Sequence, residues 1–141
     1  VGAHARTRPF RSRGARAGAL ELLEYVGAAD VAARPAAGLP FGTLKRVELA
    51  RALVAEPRLL LLDEPASGLN HEEVNVLGEL VRRIRGQLRL TVLLVEHHMN
   101  LVMGISDRVV ALNFGRKIAE GTPDEVRAHA EVVQAYLGAP A

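Results

Sequence analysis

The sequence predicts an α/β fold in which helices flank a mainly parallel sheet. Two almost uninterrupted apolar runs, at residues 58–63 and 90–95, are typical of strands that are buried on both faces. Segments with helical spacing precede each run, and strands that alternate with helices indicate an α/β architecture. The chain of 141 residues is 49% hydrophobic, which is enough to form a domain with its own core.

The first part of the chain is predicted to hold two helices separated by a loop. Apolar residues recur at helical spacing in residues 17–26 and 44–55, and the alanine-rich segment 30–38 between them is predicted to be a loop. We expect the second helix to bury one stripe, composed of Leu44, Val47, Ala50 and Val54. Pro57 ends this helix before the strand at 58–63.

The second part alternates again between helix and strand. Asn70 is predicted to cap a helix that ends near Gly86, with Glu73 as its capping-box partner. The buried stripe of that helix is expected to be Leu77, Leu80, Val81 and Ile84. After the strand at 90–95, a hairpin is predicted at 107–113 and 116–119, followed by short helices at 123–128 and 131–137. Thr122 is the expected cap of the first of these short helices.

Two carboxylates stand where the first apolar strand ends. Asp63 and Glu64 follow four leucines, and charges beside a buried strand are costly unless they have a task. Ligands bind at the carboxyl ends of strands in open α/β sheets. Asp63 therefore suits a Mg²⁺ site, and Glu64 suits a base that polarises water, the Walker B arrangement. The alternative is an ordinary strand that runs into an acidic turn.

Three further segments carry chemistry. Residues 39–43 (Leu-Pro-Phe-Gly-Thr) precede a helix, whose N-terminus favours a phosphate. Residues 67–70 (Ser-Gly-Leu-Asn) form a turn before a capped helix. His97 follows the second apolar strand and can reach a phosphate there. We expect no metal site at His97 and His98, since adjacent residues of an extended chain point in opposite directions.

In this order, the segments resemble an ABC-transporter ATP-binding subunit. Residues 103–108, 120–123 and 135–138 are similar to the group that energises uptake of branched-chain amino acids. The resemblance implies the C-terminal part of a P-loop NTPase (ABC ATPase) domain. Residues 1–56 would be part of the helical subdomain with the signature loop, and residues 57–141 the C-terminal half of the RecA-like ATPase core.

The resemblance assigns a role to each motif, with ATP and Mg²⁺ as cofactors. Asp63 is expected to hold Mg²⁺, Glu64 to act as catalytic base and His97 to act as switch. The signature loop is expected to bind the nucleotide through Leu39, Pro40, Phe41, Gly42 and Thr43. The D-loop residues at the dimer interface would be Ser67, Gly68 and Asn70. Pro40 replaces the usual serine and Thr43 a glutamine, which puts tight recognition of the opposite nucleotide in doubt.

The sequence contains no phosphate cradle of the form GxxxxGK[ST]. In the family this cradle precedes the signature loop, so we expect the chain to be the C-terminal part of a nucleotide-binding domain and to be inactive in isolation. The family strand between 90–95 and 107–112 is then missing, which favours association or mobility over a closed sheet. The alternatives are a natural short protein and a non-catalytic interaction module that binds no ATP alone.

The expected partners are a second ATPase subunit in a head-to-tail dimer and membrane permease subunits. The location would be cytoplasmic, peripheral on the inner face of the cell membrane. The absence of cysteine excludes disulfides, and no run is long enough to span a membrane. No nucleic-acid partner is expected, because the basic cluster has a single aromatic and is better explained as a solvated linker. That cluster is Arg6, Arg8, Arg11, Arg13 and Arg16.

Overall fold

The computed structural model describes residues 14–137 and forms two compact units. The first unit takes its residues from Val1–Leu61 and Arg83–Leu93, and the second from Leu62–Arg82 and Leu94–Ala141. Four arginines of the basic cluster and the last residue of the motif at 135–138 lie outside the described residues.

Helices and strands alternate along the chain, which confirms the predicted α/β class. The helices are α1 (Ala15–Tyr25), α2 (Phe41–Leu53), α3 (His71–Leu88), α4 (Met99–Ile105), α5 (Pro123–Ala128) and α6 (Ala130–Val132). The strands are β1 (Leu59–Asp63), β2 (Thr91–Val95), β3 (Val109–Asn113) and β4 (Arg116–Gly121). A 3₁₀ turn at Ala29–Val31 follows α1, and a π-helical turn at Val133–Leu137 follows α6.

In the first unit, α1 packs against α2. The predicted stripe of α2 is confirmed only at Ala50: Val54 is 60% exposed, and the other buried residues are Leu49 and Leu53. Apolar side chains are spread around this helix, so their spacing does not select one face. The helix also begins three residues before the predicted start, and Phe41, Gly42 and Thr43 form its first turn.

Helix α3 confirms its predicted pattern. Its stripe is buried at Leu77, Leu80, Val81 and Ile84, and Val74 extends it by one turn toward the N-terminus. Near its C-terminal end, the Arg83 guanidinium lies over the ring of Tyr25, 4.9 Å from the centroid, and donates to the Tyr25 carbonyl. This contact ties the end of α3 to α1 within the first unit.

The strands form two separate two-stranded sheets, β1–β2 and β3–β4. In the first sheet Thr91 N donates to Arg58 O and Glu64 N donates to Val95 O, both at 2.9 Å, so the two strands run in the same direction. Within residues 14–137, β2 and β3 belong to different sheets and do not close on each other. One face of the first sheet is open, with Leu59 50%, Leu61 64% and Leu93 58% exposed.

The second unit is built around the β3–β4 hairpin, which pairs antiparallel with an irregularity between Ala111 and Leu112. Helices α4, α5 and α6 contribute to its hydrophobic cluster, composed of Met103, Val109, Ala111, Ile118, Ala119, Val126 and Val132. Thr122 caps α5 through a reciprocal capping box with Glu125, as predicted. Helix α4 was not predicted from the sequence, although it buries Leu101 and Met103.

Among the helices of the described part of the chain, none combines the length and the apolar character needed to cross a bilayer.

Candidate functional site

The turn after β1 presents two carboxylates. Asp63 is the last residue of the strand and is exposed. Glu64 has a φ of 42°, a left-handed conformation that costs a non-glycine residue about 1–2 kcal/mol and turns the chain out of the strand. Its N–H donates to Val95 O at 2.9 Å, and its carbonyl accepts from Ser67 N at 3.0 Å. The backbone is therefore fixed while the Glu64 side chain stays 55% exposed.

These two carboxylates fit a magnesium ion. Magnesium is a hard cation that prefers oxygen donors, keeps several of its waters and takes one or two carboxylates from the protein. Both carboxylates are exposed at the end of a strand, where a hydrated ion can reach them from solvent. The donor chemistry of Asp63 and Glu64 thus supports the expected assignment of Asp63, which stays a prediction.

The loop that follows is held by local backbone bonds. Leu69 N donates to Ala66 O at 3.1 Å, and Gly68 has a φ of 79° that favours glycine. Asn70 Oδ1 accepts from Glu73 N at 3.0 Å, while Glu73 Oε2 accepts from Asn70 N at 2.9 Å. This reciprocal pair is the predicted capping box, and it anchors the loop to the first turn of α3.

A glutamate with a buried side chain connects this loop to the segment after β2. The Glu96 side chain is 0% exposed. Its Oε1 accepts from Ala66 N at 2.9 Å, and its Oε2 accepts from His97 N at 2.9 Å and His98 N at 3.1 Å. Its Oε2 is also 3.0 Å from His98 Nδ1. One carboxylate therefore joins two loops that are 30 residues apart in sequence.

Hydrogen bonding decides the ionisation of Glu96. Burial is the largest single influence and raises the pKa of the carboxyl group, because the charged form loses its hydration. The bonds from His98 N, Ala66 N, the His98 side chain and His97 N together outweigh burial. The pKa of Glu96 therefore lies below its usual value, and the group is a carboxylate at neutral pH.

His97 is close to the carboxylate at the end of β1. Its Nδ1 lies 3.7 Å from Glu64 Oε1, which is too long for a hydrogen bond and within ion-pair distance when the ring is protonated. The side chain of His97 is 60% exposed, so solvent screens this pair. The predicted base and the predicted switch residue thus lie side by side in the second unit.

The prediction that His97 and His98 point in opposite directions is wrong. Their ring centroids are 4.6 Å apart, with the planes tilted by 37°. The extended chain ends at Val95, and Glu96 Oε2 draws both following N–H groups toward itself. The alternation of an extended strand therefore does not apply at residues 97 and 98.

The signature segment, which is the predicted signature loop at residues 39–43, lies in the first unit. Leu39 is 8% exposed, and Pro40 is the N-cap of α2, whose carbonyl accepts from Thr43 N and Leu44 N, both at 3.0 Å. Among the described residues no side chain caps this helix. Phe41 is 50% exposed, and Lys45 Nζ lies 5.2 Å from its ring centroid. The residue that replaces the expected serine thus occupies the position where a hydroxyl would cap the helix.

The structure therefore places the predicted residues in two groups. Asp63, Glu64 and His97 lie in the second unit, together with Ser67, Gly68 and Asn70, while Leu39–Thr43 lie in the first. Sequence reasoning missed Glu96 as a site residue. A signal was available: a glutamate ends an apolar strand, where an unpaired charge is costly and requires partners.

Comparison with protein families gives two matches. A model of the ABC transporter family matches residues 4–67. A model described as the branched-chain amino acid ATP-binding cassette transporter matches residues 116–141. Together the two matches include the signature segment, β1 with its carboxylates, and the chain from β4 onward.

Individual relatives agree with the family models. The branched-chain amino acid transport ATP-binding protein LivG of Salmonella typhimurium is 47% identical over 116 residues, which cover 82% of this chain and 46% of LivG. BraF of Pseudomonas aeruginosa, which has the same description, is 45% identical over 120 residues, covering 85% of this chain and 47% of BraF. The chain therefore spans about half the length of these relatives.

A solved structure shows the same fold. MJ1267, an ATP-binding cassette of an ABC transporter in its ADP conformation, superimposes with a TM-score of 0.79 at 27% identity. The superposition covers 92% of this chain and 52% of MJ1267.

Proposed function

Because this chain belongs to the ABC-transporter ATP-binding family, we propose that it supplies the Walker B, signature, D-loop and switch segments of an ATP-hydrolysing subunit. One observation carries the proposal: Glu64 is held at the carboxyl end of β1 with His97 Nδ1 3.7 Å from its Oε1. The proposed catalytic unit also contains a phosphate-binding segment outside these 141 residues, because the sequence has no GxxxxGK[ST].

The proposed mechanism rests on positioning. Glu64 orients the attacking water and accepts its proton, and its fixed backbone keeps the carboxylate at the strand end. His97 donates a hydrogen bond toward the γ-phosphate, and Glu96 holds the backbone of His97 through the bond to its N–H. Magnesium, when bound near Asp63, supplies positive charge that neutralises the phosphates.

The signature segment is proposed to act on a second nucleotide. A helix leaves its first N–H groups without intrahelical partners, and at the start of α2 those of Phe41 and Gly42 precede the first bonds to the Pro40 carbonyl and favour a phosphate. In a head-to-tail dimer this turn would cover the nucleotide held by the partner subunit. The loop at Ser67, Gly68 and Asn70 would lie at the same interface, because the capping box leaves its Ser67–Gly68 tip exposed.

The proposed physiological role is ATP-driven import of branched-chain amino acids through membrane permease subunits, on the inner face of the cell membrane. The match at residues 116–141 supports this substrate class, as do LivG and BraF, which are branched-chain amino acid transport ATP-binding proteins. The boundary between a helical part at 1–56 and an ATPase core part at 57–141 belongs to the same proposal.

A second candidate is a non-catalytic interaction module that keeps the fold and binds no ATP alone. The missing phosphate-cradle motif favours it for the chain by itself. The two candidates differ in one property: only the first gives hydrolysis when the chain is joined to a phosphate-binding half.

The experiment compares ATP turnover among variants of such a joined protein, which is this chain fused to a phosphate-binding half. Asp63→Asn should raise the Mg²⁺ concentration needed for half-maximal turnover, and His97→Ala should lower turnover at saturating Mg²⁺. Glu72→Gln is the control, since Glu72 is an exposed acid in the first turn of α3. Equal turnover and equal Mg²⁺ dependence in all variants would exclude the proposed site.

A further inference from the structure

The segment after β2 brings three metal-ligating side chains together. Glu96, His97 and His98 each offer a donor atom, and these atoms all lie within 4.8 Å of one another. From the Glu96 Oε2 atom, His98 Nδ1 is 3.0 Å away and His97 Nδ1 is 3.8 Å away. We propose that Glu96, His97 and His98 form a binding site for a divalent transition metal of the zinc class.

The spacing of the donor atoms fits such an ion. Ligands of tetrahedral zinc lie at about 2.1 Å from the metal, which puts neighbouring ligand atoms about 3.4 Å apart. The two distances from Glu96 Oε2 fall on either side of that value. The histidine side chains are 60% and 36% exposed, so small rotations of both rings can close the remaining difference.

The carboxylate is held in place before any metal arrives. Glu96 Oε1 is bound to Ala66 N at 2.9 Å, so the carboxylate cannot rotate its Oε2 atom away from the two rings. Hydrogen bonds from the protein to a ligating carboxylate orient it and strengthen metal binding. The anchored glutamate thus acts as the rigid ligand, and the two imidazoles are the adjustable ones.

Binding requires a tautomeric change at His98. Because the Glu96 carboxylate only accepts, His98 Nδ1 carries the proton in its 3.0 Å contact with Oε2. The metal takes the place of this proton, which moves to Nε2 of the same ring, so a neutral imidazole stays neutral. A water completes the coordination, or Glu64 Oε1 does so, since it lies 3.7 Å from His97 Nδ1.

The donor set distinguishes this site from a magnesium site. Two imidazoles and one carboxylate suit zinc, nickel or copper, whereas magnesium prefers oxygen ligands alone. A metal at this site would also hold the ring of His97, the proposed switch residue, on the metal. Zinc should therefore inhibit ATP hydrolysis. This inhibition rests on the proposed function, whereas the binding of the metal is independent of it.

The binding test uses Zn²⁺ and the 141-residue chain in titration calorimetry, with millimolar Mg²⁺ present throughout. We expect one site, and we expect His97→Ala and His98→Ala each to lower its affinity by at least about 10-fold. His71→Ala is the matched control, since His71 is an exposed histidine at the start of α3 and should leave the affinity unchanged.

Cobalt gives a second readout that needs no variant. Co²⁺ in place of Zn²⁺ should give the visible absorption of a four-coordinate nitrogen–oxygen site, and Zn²⁺ should abolish it by competition. No binding up to millimolar Zn²⁺, or binding that depends on His71 and not on His98, would overturn the proposal. In a joined protein that hydrolyses ATP, His98→Ala should relieve the inhibition by zinc. A joined protein without turnover would contradict the proposed function alone. The calorimetry would still decide whether the metal site exists.

Discussion

Replacing Glu96 by glutamine tests whether one buried carboxylate holds the two loops of the site together. The side chain is 0% exposed and accepts three backbone N–H groups, from Ala66, His97 and His98. Glutamine has the same shape but keeps a single acceptor oxygen, and its NH₂ group must then face N–H donors. At least one loop therefore loses its hydrogen bonds.

The expected loss follows from the number of bonds. A hydrogen bond to a charged group contributes about 1.5–3 kcal/mol, and a buried donor left without an acceptor costs about 1–3 kcal/mol. Glutamine can retain either the Ala66 bond or the bonds to His97 and His98. We expect Glu96→Gln to lower the free energy of unfolding by about 2–3 kcal/mol at neutral pH, because the better-bonded side can be kept.

The pH dependence provides an independent check. The pKa of Glu96 is lower in the folded chain than in the unfolded chain, so its stabilisation is present above the unfolded value of about 4.3 and is lost as pH falls through the folded value. Glutamine does not titrate. The difference in stability between the two proteins should therefore shrink as the pH falls below about 4.

Urea unfolding of both proteins, followed by circular dichroism from pH 7 to pH 3, measures this difference. The control is Glu131→Gln, which removes the exposed 3.0 Å ion pair with Arg116 and should cost at most about 1 kcal/mol. The reasoning is refuted if Glu96→Gln costs no more than the control, or if its cost stays constant through acid pH.

Three further predictions concern other parts of the chain. Pro40→Ser should change the free energy of unfolding by less than about 1 kcal/mol, because a new N-cap adds about 1 kcal/mol while the loss of proline rigidity removes about 0.4–1 kcal/mol. The same substitution should raise turnover at limiting ATP in the joined protein. An unchanged turnover would contradict the phosphate role of this helix start. Calorimetry with Mg-ATP should detect no micromolar binding by the 141-residue chain, since its sequence has no GxxxxGK[ST]. Micromolar binding would show that other residues hold the phosphates. Light scattering should show that the chain associates as its concentration rises, because the face at Leu59, Leu61 and Leu93 is open. Leu61→Lys should weaken this association. A wild-type chain that stays monomeric would contradict the expectation.

The sequence predicted the features that depend on neighbouring residues. The Asn70 and Thr122 capping boxes need residues three positions apart, and both are present in the structure. The stripe of α3 was also predicted correctly, because its apolar residues follow one helical face from Leu77 to Ile84. These features depend only on residues that are close together in the sequence, so the sequence alone predicts them.

The features that the sequence did not reveal depend on tertiary contacts. The loop predicted at residues 39–43 puts the start of α2 at Leu44, whereas the helix begins at Phe41. Helix α4 is only seven residues long, and the burial of Leu101 and Met103 stabilises it. The bond between Glu96 and Ala66 joins residues 30 positions apart, so no local pattern predicts it.

The central claim is that the carboxylate at the end of β1 acts as the base for ATP hydrolysis. The most direct measurement determines bound Mg-ATP and ATP turnover in the same preparation of a joined protein, with and without Glu64→Gln. The amide keeps the shape of the side chain but cannot accept a proton, so we expect nucleotide binding within about twofold and a loss of turnover on the order of 10²–10⁴. Turnover close to that of the unmodified protein, with nucleotide bound equally well, would show that Glu64 is not the base.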